Sequence, residues 1–303
     1  MKKFYLTGLL MSLLGLGSLH PFHEGDNDGS GPDSSEYGVI QTDVDNNCTC
    51  GRANKEDQRI VGGRTTKVNE YPMIAGFVLL KEDLIVCGGT IITRRHVVTA
   101  AHCTDGFKTS EFRIFIGHHN YQQVKATAKL LELQQFFVHE KYNAFSLKYD
   151  ISVVLTKQSM EFGENVGPAC LPKVRIPLVG ERVKALGWGL TRYYGKPSEV
   201  LLQVNVDVQP FEQCNLHNPH LEMQDIHQLC TYRKNKDSCS GDSGGPLLWR
   251  DPDTNMYTLV ATTSYGTNCA KYPAVNCDIV YFLPWIQNII SRSDPSLQTC
   301  AKI

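Results

Sequence analysis

The chain has 303 residues, and its 30 basic and 31 acidic side chains give a formal net charge of −1. That length fits one large domain with extensions, and the near-neutral balance excludes a polyanion such as nucleic acid as an expected partner. A hydrophobic content of 42% suits an ordinary globular core, and 11 spaced cysteines suggest disulfides formed in an oxidising compartment. A zinc cluster would need CxxC pairs, and Cys48-Thr49-Cys50 has the wrong spacing, so no metal is expected.

In chain order, Lys2 and Lys3 precede an apolar run from Phe4 to about Leu19, with Gly15, Gly17 and Ser18 as small residues near its end. The pattern predicts a secretory signal peptide over residues 1–17, and therefore a secreted, extracellular protein. A membrane anchor is the alternative, but the run is short for a span of about 20 residues. Residues 18–59 read as a propeptide. Its stretch from His20 to Glu36 is rich in Gly, Asp and Ser and is expected to be disordered. Asn47-Cys48-Thr49 fits the glycosylation sequon, with a cysteine in the middle position.

After Arg59, short apolar runs between turn signals predict strands at Met73–Leu80, Gly89–Thr93, Phe112–Gly117, Ile151–Leu155, Val183–Gly187, Leu201–Val208, Pro246–Trp249, Thr258–Thr263 and Ala274–Tyr281. This spacing points to an all-β sandwich or a pair of barrels. One long helix is predicted near Leu283 to Ser291, where Trp285, Ile286, Ile289 and Ile290 recur at helical spacing.

Three segments carry candidate chemistry. Thr99-Ala100-Ala101-His102-Cys103 follows the apolar, β-branched run from Cys87 to Val98 and places a histidine at a strand end. Tyr149-Asp150-Ile151 puts a carboxylate before a run apolar enough to be a buried strand. Asp237-Ser238-Cys239-Ser240-Gly241-Asp242-Ser243-Gly244-Gly245-Pro246 sets a serine among glycines. A hydroxyl is a poor nucleophile unless a base and an oxyanion site attend it, and glycine permits the dihedrals that turn N–H groups towards one point. Taken alone, the last segment also fits a Gly/Ser turn between strands. The order His102, Asp150, Ser243 distinguishes one triad arrangement from the others.

With Ile60-Val61-Gly62-Gly63 and Gly187-Trp188-Gly189 added, five spaced motifs resemble the trypsin-like serine proteases of the chymotrypsin family, over roughly residues 48 to 290. The resemblance implies two six-stranded antiparallel β-barrels with a C-terminal helix packed on the second, in a peptidase domain of residues 60–303. It implies that His102 is the base, Asp150 its orienting carboxylate and Ser243 the nucleophile, with the Gly241 and Ser243 N–H groups as the oxyanion hole. Cleavage after Arg59 would free an ammonium on Ile60 to pair with Asp242. Asp237 would form the base of the primary pocket and select Arg or Lys, with Ser238 assisting and Ser264, Gly266 and Ala274 lining it. Ala274 stands where trypsins usually have glycine, and one methyl shifts discrimination by about 1–3 kcal/mol.

The implied disulfides are Cys50–Cys170, which tethers the propeptide, Cys87–Cys103, Cys214–Cys230 and Cys239–Cys269. A further bridge of the family is missing at both ends, where Val183 and Trp249 stand. Cys277–Cys300 is the expected further pair, with Cys48 left over. Where the family's calcium loop would lie, residues 118–129 contain no carboxylate, so no calcium and no other cofactor is expected. The expected partners are protein or peptide substrates, an activating trypsin-like protease and protein protease inhibitors, around a monomer without nucleic acid or membrane. The tethered propeptide resembles that of arthropod venom or haemolymph proteases. A catalytically silent homologue that acts by binding is the alternative function.

Overall fold

The computed structural model describes residues 49–54, 64–125, 130–190, 195–218, 221, 223–234, 241–266 and 271–302. A short strand β1 (Arg64–Thr65) precedes β2 (Ile74–Leu79), β3 (Leu84–Ile91), β4 (His96–Thr99) and β5 (Phe112–Ile116). A one-turn helix α1 (Tyr121–Val124) then leads to β6 (Leu131–Val138) and β7 (Ser152–Thr156). Strands β2 to β7 close into a barrel in the order β2-β3-β4-β7-β6-β5. The second half begins with β8 (Leu171–Pro172), β9 (Arg182–Gly187), β10 (Leu202–Gln209), the short helix α2 (Phe211–Asn215) and β11 (Gln228–Tyr232). It continues through β12 (Pro246–Arg250), β13 (Tyr257–Gly266), β14 (Ala274–Asp278) and helix α3 (Ile279–Ser293), and ends in β15 (Ala301–Lys302), which lies parallel to β8. Its strands run β10-β11-β14-β13-β12-β9, and β9 pairs back onto β10, so a second antiparallel barrel of six strands closes. Closure leaves neither barrel with an open edge.

Two six-stranded barrels and a C-terminal helix are thus the architecture, as the resemblance implied. The apolar run from Cys87 to Val98 is not one strand. It turns over between Ile92 and His96, where the Ile92 N–H donates to the His96 carbonyl at 3.0 Å, and continues as β4. Strand β6 was not predicted. Its sequence Leu-Glu-Leu-Gln-Gln-Phe-Phe-Val loses its alternation at a register shift between Leu133 and Gln135. Nor was β11, whose five residues carry little apolar pattern.

The last predicted strand, Ala274–Tyr281, needs correction: it stops at Asp278. There the Asp278 side chain accepts a hydrogen bond from the Val280 N–H at 3.2 Å and caps α3, which therefore starts at Ile279 rather than Leu283. The helix buries Ile279, Phe282, Leu283, Ile286, Ile289 and Ile290 along one stripe, each burial worth about 1.5–3 kcal/mol. It also packs on both barrels, not on the second alone. Trp285 Nε1 donates to Glu140 Oε2 at 2.9 Å, and Ser293 Oγ lies 2.8 Å from His96 Nε2 in β4.

The largest apolar cluster takes residues from both barrels and α3. Across it, the rings of Phe115 and Trp188 meet edge to face at 5.8 Å. Val183 stands directly opposite Trp249 in the β9–β12 register, and both belong to one apolar cluster. The two positions without a bridge are therefore neighbours that pack instead. Among the described residues, no helix is long and apolar enough to cross a membrane.

His96 offers a pH test of this packing. The ring is fully buried, and its burial pushes the pKa down to about 4. In the unfolded chain it titrates near its ordinary value of about 6.5. Between those values the unfolded state binds the proton and the folded state does not. Its contribution to stability is therefore fully present above about 6.5 and is lost as pH falls towards 4. Thermal unfolding should show Tm falling across that window, with a shallower fall in His96→Gln; equal slopes in the two proteins would remove His96 from the acid response.

Candidate active site

Asp150 sits just before β7 with no solvent exposure at all. Three donors meet its carboxylate. The His102 backbone N–H donates to Oδ1 at 2.8 Å, while His102 Nδ1 at 2.7 Å and Ser264 Oγ at 2.5 Å share Oδ2. A buried carboxylate without such partners is costly, and one with them fixes its donors in place. A carboxylate only accepts, so His102 Nδ1 carries the hydrogen and Nε2 is left as the acceptor. His102 lies in a tight turn, Ala101–Cys103, directly after β4, and the Cys87–Cys103 bridge ties that turn to β3. Its side chain is 27% exposed, so the ring reaches solvent while its partner does not.

Ser243 reaches the same place through the backbone. The Gly88 N–H donates to the Ser243 carbonyl at 2.8 Å, and the Gly88 carbonyl accepts from Thr99 Oγ1 at 2.7 Å, three residues before His102. Gly88 therefore joins the histidine segment to the serine loop. A Cβ there would lie 2.7 Å from the Gly245 Cα, so the two backbones meet only because position 88 has no side chain. Gly241 has φ +96°, and among the described residues neither the Gly241 nor the Ser243 N–H has a hydrogen-bond acceptor. Next to them, Asp242 Oδ1 accepts from the Gly189 N–H at 2.8 Å. A Cβ at Gly187 or Gly189 would come within 2.0 or 2.6 Å of that carboxylate, which is the physical reason for the Gly-Trp-Gly motif.

Known proteins align with this arrangement. Residues 60–286 match the family model described as Trypsin. The chain belongs to the trypsin family of serine proteases. A venom serine protease of Polistes dominula is 38% identical over 80% of this chain and 88% of its own length. Venom serine protease 34 of Apis mellifera is 35% identical over 79% of this chain and 60% of its own length. The clotting factor G beta subunit of Tachypleus tridentatus is 29% identical over 76% of this chain and 79% of its own length.

Other expected features of a trypsin-family site divide by position. Gly266 and Ala274 are register partners across β13 and β14, and Ala274 is buried. Disulfides join Cys50 to Cys170, Cys87 to Cys103 and Cys214 to Cys230. Asn47, Arg59, Ile60, Asp237, Ser238, Cys239 and Cys269 lie outside the described residues. The expected Cys277–Cys300 pair is a correction: Cys277 is a free, buried thiol, and Cys300 is bonded to a cysteine outside the described residues. Cys277 lies in β14, where its Sγ donates to the Asp150 carbonyl at 2.9 Å. Cys87, His102 and Cys103 put three donor atoms within 4.8 Å of one another, but the two sulfurs are bonded to each other and cannot ligate a metal.

Four contributors escaped the sequence reading. Gly88 had a signal, a glycine pair inside an apolar strand, which marks close backbone approach. Thr99 and Cys277 had none, because a threonine or cysteine in a strand gives no hint of what lies behind it. The fourth is a ring stack beside Asp150. Tyr149 lies between His227, at 4.2 Å and 4°, and His139, at 5.2 Å and 13°, and its hydroxyl donates to the Asp225 carboxylate. That hydrogen bond and burial push the phenol pKa up. The stack offsets the cost of holding Tyr149 at φ +53°, a left-handed conformation that costs about 1–2 kcal/mol.

Burial raises the Cys277 thiol pKa well above its ordinary value. Iodoacetamide should therefore leave Cys277 unmodified in the native protein and label it once the chain is unfolded without reductant. Peptide mapping that finds Cys277 alkylated at native-state rates, equal to a free thiol, would contradict this burial.

Proposed function

We propose that the chain is the zymogen of a secreted serine endopeptidase that cleaves peptide bonds after Arg or Lys. The observation that carries this reading is the hydrogen bond from His102 Nδ1 to the wholly buried Asp150, which leaves Nε2 as the acceptor, on a segment that Gly88 ties to the Ser243 backbone. In the mechanism, Nε2 takes the Ser243 proton as Oγ attacks the substrate carbonyl, and later returns it to the leaving amine. Asp150 holds the tautomer and stabilises the imidazolium. The Gly241 and Ser243 N–H groups, without acceptors among the described residues, donate to the oxyanion, each worth about 2.7–4 kcal/mol. Water then hydrolyses the acyl-enzyme.

Activation follows from cleavage after Arg59. The new Ile60 ammonium pairs with Asp242, next to the oxyanion donors, and so orders them. Asp237 and Ser238 bind the basic side chain, with Ser264, Gly266 and Ala274 around it. The Cys50–Cys170 bridge keeps the propeptide attached after cleavage. The apolar N-terminus, the disulfides and the venom proteases among the relatives support secretion.

Purified chain, cleaved at Arg59 and verified to begin at Ile60, should hydrolyse amide substrates with Arg or Lys before the scissile bond and leave Phe and Ala substrates nearly untouched. Ser243→Ala should lower kcat by about 10⁶-fold. Ala274→Gly should change the Arg/Lys ratio within about 10–200-fold. No hydrolysis of any substrate after correct cleavage would sink the catalytic reading in favour of a binding protein.

A further inference from the structure

A groove of about 490 Å³ opens on the second barrel between the chain after β8, strand β11 and the start of α3. Its lining is mainly apolar and includes Pro172, Ile176, Val179, Phe211 and Ile226. Val179 is 66% exposed and Ile226 41%, so apolar surface is left open to water. Within the lining, the Arg175 Nη1 donates to Asp278 Oδ2 at 2.6 Å, the same Asp278 that caps α3. Arg175 is the one basic residue of the lining, and Lys173, two residues before it, is exposed.

The covalent geometry names an occupant. Cys50 is bonded to Cys170, with the Cα atoms 4.9 Å apart, and Pro172 on the groove is two residues further along. The chain at this point already lies on the second half of the molecule: the Gly51 N–H donates to Pro168 O and the Tyr257 N–H donates to Gly51 O, each at 2.8 Å. Upstream of Cys50, the stretch from Gly25 to Glu36 has no large apolar residue. The next stretch is different: Tyr37, Val39, Ile40 and Val44 are apolar, flanked by Glu36, Asp43 and Asp45. Six residue steps separate Val44 from Cys50, a reach of up to about 20 Å.

We propose that residues Tyr37–Val44 of the chain's own N-terminal segment dock in this groove, held by the Cys50–Cys170 bridge. The apolar residues cover Val179 and Ile226, and the acidic flanks face Lys173 and Arg175. The tether makes the docking intramolecular, with an effective concentration in the mM range, so a contact too weak to hold a free peptide suffices. Because the bridge is independent of the bond after Arg59, the segment keeps its place when that bond is cut. The docked segment then braces β11 and the Asp278 end of β14, the strand that carries Ala274 and Cys277 behind the active site.

The test is amide hydrogen exchange by mass spectrometry on the full, uncleaved chain and on Ile40→Asp and Val179→Asp, both of which change positions away from the active site. In the wild-type chain, residues 37–44 should exchange at least about tenfold more slowly than in either variant, and peptides covering 174–180 should lose protection in Ile40→Asp. The readout needs no catalysis, so it stands or falls apart from the roles of Ser243 and Arg59. Equal, fast exchange of residues 37–44 in all three proteins would overturn the proposal. So would a wild-type dimer in sedimentation that Val179→Asp dissociates while residues 37–44 stay unprotected, since the groove would then belong to a second copy. Should Val179→Asp not fold, the comparison of wild type with Ile40→Asp decides alone.

Discussion

One buried carboxylate sets the terms for everything around it. Asp150 lies where water does not reach, so each of its lone pairs must be met by the protein. Two donors come from His102 and one from Ser264, which brings a turn after β4 and a residue of β13 to a single point between the barrels. The Asp150 main chain is fixed as well, by the Cys277 thiol of β14. Substituting either side of this arrangement would leave a buried polar group unpaired, which costs more than the bond itself contributes.

The second constraint is how closely backbones approach. Gly88 binds both Thr99 and Ser243, and Gly187 and Gly189 make room for Asp242. Neither contact tolerates a Cβ. The catalytic groups proposed for this chain thus stand in the turns at the ends of barrel strands, beside glycines that let backbones touch, with the Cys87–Cys103 bridge fixing the turn that carries His102. Helix α3 completes the assembly by packing on both barrels, from Trp285 at Glu140 to Ser293 at His96.

Much of this was legible in the sequence. Three segments named His102, Asp150 and Ser243 as candidates, and the apolar runs located most strands. What they could not give was pairing at a distance. Cys277 looks like a disulfide partner in an oxidised protein with an odd cysteine count, and only its place in β14 behind Asp150 makes it a buried thiol. The end of the last strand was missed because Asp278 acts as a helix cap, a role that depends on the local turn and not on the apolar pattern. Strand β6 was missed because a bulge breaks the alternation that would have revealed it. The positive φ of Tyr149 is likewise accompanied by a ring stack that includes His227, far off in sequence.

Asp150 fixes His102 with its hydrogen on Nδ1. Nitrogen NMR of the cleaved chain with ¹⁵N-labelled histidine reads the tautomer of the neutral ring directly. A protonated Nδ1 and a bare Nε2 are expected for His102, with the order reversed or mixed in Asp150→Asn. A wild-type ring that carries its hydrogen on Nε2 would contradict it, because the base that Ser243 requires would then be absent.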